Sequence, residues 1–82
     1  MKANREYELS VRKAGRGPAV LRGPGGADHV EVLEIATGEI ALFWDTPPRQ
    51  TRKLVRALRA DLAQLEADAF IARWRHWQPH DR

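Results

Sequence analysis

The segment from Thr46 to Gln78 runs TPPRQTRKLVRALRADLAQLEADAFIARWRHWQ, with no Gly and with Pro only in its first three positions. Thr46 is a favourable N-cap, and Pro47 suits the first helical position, where its missing N–H costs nothing. Pro48 still lies in the first turn, whose N–H groups have no intrahelical partner. The residues that follow are mostly strong helix formers, and Pro79 supplies a stop. The segment therefore predicts one long helix over residues 47–78.

The apolar spacing supports a helix. Val55, Leu58, Leu62, Leu65, Ala69 and Ala72 fall 3, 4, 3, 4 and 3 residues apart, with Leu54 beside them. Such a stripe packs on a sheet of the same chain or forms a short coiled-coil seam. About 30 helical residues span about 45 Å. A compact chain of 82 residues is only about 30 Å across. The far turns must then project, bend, or rest on a second subunit.

Phe70, Trp74 and Trp77 make a second apolar stripe, rotated by about 100–120° from the first. Three large rings on one face point to an edge of the core or to an interface. The third face is basic. Arg49, Arg52, Arg56 and Arg59 are spaced 3, 4 and 3, with Lys53 alongside, while Asp61, Glu66 and Asp68 interrupt the run further on. A solvated face explains this pattern, and so does a footprint for phosphate. The run Arg73-Trp74-Arg75-His76-Trp77 suits phosphate contacts with base stacking, an anionic membrane surface, or packing of Arg stems on rings.

Upstream, residues 5–14 alternate, with Tyr7, Leu9 and Val11 on one side and Glu6, Glu8, Ser10 and Arg12 on the other. They predict a half-buried strand. Residues 15–28 carry two Gly/Pro clusters and read as a loop, with a short strand at 19–22 as an option; no phosphate-loop motif is completed there. Residues 30–36 and 39–45 predict a hairpin around Gly38. A two-residue Thr37-Gly38 turn gathers Leu33, Ile35, Ile40, Leu42 and Trp44 on one face. A type I turn with a bulge at Gly38 gathers Val30, Val32, Ile40, Leu42 and Trp44, and is preferred because Thr is poor at positive φ. Either leaves Phe43 and other apolar residues on a second face, to be covered by the 16–26 loop, a subunit or a ligand. Residues 79–82 read as a frayed tail.

The chain reads as one α+β domain: an antiparallel β-meander of three to four strands packed against one long C-terminal helix. There is no Cys, so disulfides are excluded. A net charge of +3 and a pI near 10 reflect abundant Arg. The first residues lack the apolar core of a signal peptide, and no apolar run approaches transmembrane length, which predicts a cytoplasmic protein.

No catalytic constellation emerges. Ser10 has no base beside it, the carboxylates form no paired acid and base, and no metal or cofactor is expected; His76 and His80 have ligand spacing, but Pro79 lies between them. The sequence predicts a small non-enzymatic binding or regulatory module, a homodimer acting through protein contacts at Phe43, Phe70, Trp74 and Trp77, with the protein partner unknown. The alternative is a nucleic-acid-binding protein using Arg49, Arg52, Lys53, Arg56 and Arg59, helped by Arg73 and Arg75. A membrane partner is not expected.

Overall fold

A computed structural model of the chain describes residues 1–13 and 27–78. A short helix α1 (Ala3–Glu6) leads into strand β1 (Tyr7–Arg12); β2 (Asp28–Glu34), β3 (Ile40–Thr46), α2 (Pro48–Gln64) and α3 (Ala67–Trp74) follow. The strands form an antiparallel sheet in the order β1-β2-β3. The expected strand at 19–22, most of the 15–28 loop and the 79–82 tail lie outside the described residues.

Period-two alternation builds the sheet. Val11 pairs with Val30 and Leu9 with Val32 across β1 and β2, while Val30 pairs with Trp44 and Val32 with Leu42 across β2 and β3. These residues form the inner face, where Val30, Val32 and Trp44 are buried. The register shifts between Val32 and Leu33, so that Leu33 pairs with Ile40 and Ala41 is the extra residue of a bulge. Ile40, expected on the inner face, is thereby turned outward and is 54% exposed. The loop Ile35–Gly38 is closed by two bonds, Glu34 N–H to Glu39 O at 2.8 Å and Gly38 N–H to Glu34 O at 2.7 Å. Gly38 takes φ 76°, which L side chains rarely adopt. Arg5 and Glu6, expected in the first strand, belong to α1, whose turn is closed by Arg5 N–H to Lys2 O at 3.0 Å.

The expected cap is displaced by one residue. Pro47 is the N-cap of α2 and Pro48 opens the helix. Thr46 instead ends β3, fully buried, with its hydroxyl bonded to that of Thr51 at 2.8 Å. A side chain committed to the core cannot turn back to cap the helix.

The single helix over 47–78 is not what forms. Leu65 and Glu66 are extended and separate α2 from α3. No Gly or Pro causes the break; the N-terminal residues occupy it. Ala3 N–H donates to Leu65 O at 2.8 Å, Ala67 N–H donates to Met1 O at 3.0 Å, and Lys2 forms an isolated antiparallel bridge with Glu66. Lys2 Nζ also donates to Gln64 O, the last carbonyl of α2, at 2.9 Å. Groups freed by the interruption thus gain partners, and their desolvation is offset. The Met1 amine lies 2.6 Å from Glu66 Oε1. That hydrogen bond, with the amine's charge, holds the Glu66 carboxyl below its ordinary value and raises the amine's.

The break serves the two apolar stripes. Along α2 the buried residues are Thr51, Leu54, Leu58 and Leu62. Along α3 they are Ala67, Phe70 and Trp74, while Ala69 and Ala72, which continue the heptad in sequence, are exposed. A straight helix could not aim both stripes at one core, because they differ in direction by over a quarter turn. Two segments of 17 and 8 residues can, and at about 25 Å and 12 Å they fit the body. Eight residues are too few for a stable isolated helix, so α3 relies on its packing.

Candidate polyanion-binding groove

The arginine face of α2 meets the end of β1. Between them runs an open groove of about 410 Å³, lined by Val11, Lys13, Arg52, Val55, Arg56 and Arg59. The helix supplies its side through the spacing of 52, 56 and 59, which stacks one side chain above another. Val55 lies between that row and the buried leucines, half-buried, and Val11 faces it from the inner side of β1. Lys13 follows two residues after Val11, on the same side by strand alternation.

The groove is electrostatically one-sided. Among the described residues that line it, four of six are cations and none is acidic. Arg52, Arg56 and Arg59 are exposed and form no ion pair among the described residues. Lys13 is partly compensated: its Nζ lies 3.9 Å from Oδ2 of the buried Asp28. A cleft lined by one sign of charge above an apolar floor focuses its field on an incoming anion. Guanidinium groups add a planar fork that matches phosphate oxygens.

The other arginine-run residues are placed elsewhere. Arg49 is exposed in the first turn of α2, Lys53 is exposed on the helix, and neither lines the groove. Arg73 turns its Nε to Asp61 Oδ2 at 3.3 Å, tying α3 back to α2. Arg75 is exposed at the C-cap of α3. Nothing in the sequence places Lys13 and Val11 in this groove, since they meet α2 only through the packing of sheet on helix.

The aromatic residues expected at an interface divide. Phe70 is fully buried and stacks on Tyr7 with centroids 6.1 Å apart. Trp74 is 6% exposed, and it meets Trp44 and Trp77 edge-on at 5.9 and 5.4 Å. Its Nε1 donates to Asp61 Oδ2 at 2.9 Å. Trp77 is half-buried, 5.8 Å from Trp44, and its carbonyl accepts from Trp44 Nε1 at 3.1 Å. Phe70 and Trp74 therefore fill this chain's own core and are unavailable as contact residues, because the break folds α3 back onto the sheet. The same packing removes Trp74 and Trp77 as stacking platforms for bases.

Phe43 is different. It lies on the outer sheet face, 47% exposed, and stacks on His29 with centroids 5.6 Å apart. His29 Nδ1 hydrogen-bonds Asp45 Oδ1 across the β2–β3 pair. Pairing places Leu33 and Ile40 on the same face. Glu31 is also there, buried, with its Oε1 3.9 Å from Arg12 Nη2.

Among the described residues, no three His, Asp or Glu side chains come together as a metal site, and no helix is long and apolar enough to cross a membrane. His80 and Asp81 lie outside the described residues. No family model, curated protein or solved structure matches the chain.

Proposed function

We propose that the chain is a small, non-enzymatic, cytoplasmic binding module that engages nucleic acid through the groove between β1 and α2. The observation that carries this reading is the lining: Lys13, Arg52, Arg56 and Arg59 around two valines, with no acidic side chain among the described lining residues. Phosphate contacts made this way depend steeply on salt, because each neutralised phosphate releases counterions. The double substitution Arg52→Glu, Arg56→Glu is expected to abolish binding to a mixed-sequence nucleic acid at low salt, as read by fluorescence anisotropy. Both side chains are exposed, so the thermal midpoint should move little, corresponding to roughly 0.5 kcal/mol or less. Undiminished binding by a folded double variant would sink the reading.

A second surface supports self-association. Phe43, Ile40 and Ile35 are each about half exposed on or beside the outer sheet face, and an exposed apolar patch favours a partner. We propose a homodimer, with Phe43 as the contact; Phe70 and Trp74 have no part in it. Light scattering on the wild type should give twice the chain mass, and Phe43→Glu should return it to the monomer mass. A monomeric wild type removes the dimer and leaves the groove untouched.

A further inference from the structure

We infer that the groove takes the phosphate backbone of a double-stranded nucleic acid and does so without reading base sequence. This rests on the nucleic-acid reading above and specifies the form of ligand. Proteins that hold single strands combine a basic groove with rings on which bases stack. Here no ring lines the groove among the described residues. Trp44, Trp74 and Trp77 are engaged with one another, Tyr7 with Phe70, and Phe43 stacks on His29 across the sheet. Among the described residues the apolar part of the lining is Val11 and Val55, which suit the C–H surface of sugars but give a base no face to stack on.

Sequence readout is equally unsupported. Adenine and cytosine edges are read by amide and carboxylate side chains, which are missing from the described lining; its arginines and lysine can pair with guanine alone, which supplies no code for a mixed sequence. What remains is a row of charge. Arg52, Arg56 and Arg59 rise by about 6 Å and then about 4.5 Å along α2. Their total of about 10 Å is comparable with three steps of the 3.4 Å axial rise per phosphate in one strand of a duplex. A duplex holds its phosphates in a fixed array that such a rigid row can meet without first ordering the ligand, whereas a flexible strand must be ordered on binding.

The test is anisotropy with three labelled probes at matched low salt: a short mixed-sequence DNA duplex, one of its strands alone, and polyglutamate. A second duplex of scrambled sequence checks base readout. The duplex should bind at least about tenfold more tightly than the strand, and the two duplexes equally. With three to four phosphates neutralised, the slope of log K against log salt should be about −2.7 to −3.6. Arg52→Glu with Arg56→Glu should abolish duplex binding. Lys53→Glu with Arg75→Glu makes the same charge change outside the groove and should retain most of it. Equal or tighter binding of the single strand overturns the duplex assignment while the nucleic-acid reading stands. A preference between the two duplexes overturns sequence independence. Binding of polyglutamate alone, or of no probe, overturns both the inference and the reading beneath it.

Discussion

Phe70→Ala is expected to destabilise the fold by about 3–5 kcal/mol, and Trp74→Ala by a similar amount. Phe70 is fully buried, enclosed among the core residues of the sheet and α2. Its removal loses the transfer energy of the ring and leaves a cavity. Trp74 adds two edge-on ring contacts and a hydrogen bond to Asp61. Its removal leaves that half-buried carboxylate with Arg73 as its remaining ion-pair partner among the described residues. Small domains have about 5–15 kcal/mol of stability in all, so either variant has little in reserve. For a chain of this size each kcal/mol lowers the melting point by about 4–8 °C. Denaturant melts followed by circular dichroism give the loss directly. A cost below about 1 kcal/mol at Phe70 would show that the ring is not in the core.

The second large effect concerns the interruption at Leu65–Glu66. Glu66 has φ −70° and ψ 155°, and Leu65 before it has φ −90° and ψ 153°. Proline holds φ near −65° and requires an extended residue ahead of it, so both positions already meet its demands. Glu66→Pro should be tolerated, changing stability by no more than about 1 kcal/mol. Ala60 is exposed in the middle of α2, and Ala60→Pro should cost about 3 kcal/mol or more, because a helix interior loses a hydrogen bond and gains a clash. In an unbroken helix the two prolines would be equally damaging. Equal losses in paired thermal melts would therefore contradict the interruption.

That interruption shows where sequence reading reached its limit. The alternation of Tyr7, Leu9 and Val11 and the hairpin around Gly38 were legible because strand patterns and turn chemistry are local. The bulge that turns Ile40 outward was not, since no residue at Ala41 announces it. The helical segment carried two apolar stripes out of phase. That conflict was itself the sign of a break, but its position depends on Met1–Ala3, more than sixty residues away in the chain. Helix propensity was overridden by burial: Phe70 and Trp74 reach the core only if the helix bends. The basic face was legible from the spacing of Arg52, Arg56 and Arg59. That it forms one side of a groove was not, because Lys13 and Val11 arrive there through the packing of β1 on α2.

The claim that the groove is the working surface is tested most directly by amide chemical-shift mapping during titration with a short mixed-sequence DNA duplex. The expected result is a contiguous set of perturbed amides at Val11, Lys13 and Arg52 to Arg59, growing with ligand and fading as salt is added. Shifts confined to the outer face around His29, Ile40 and Phe43, or an unchanged spectrum at low salt, would contradict it.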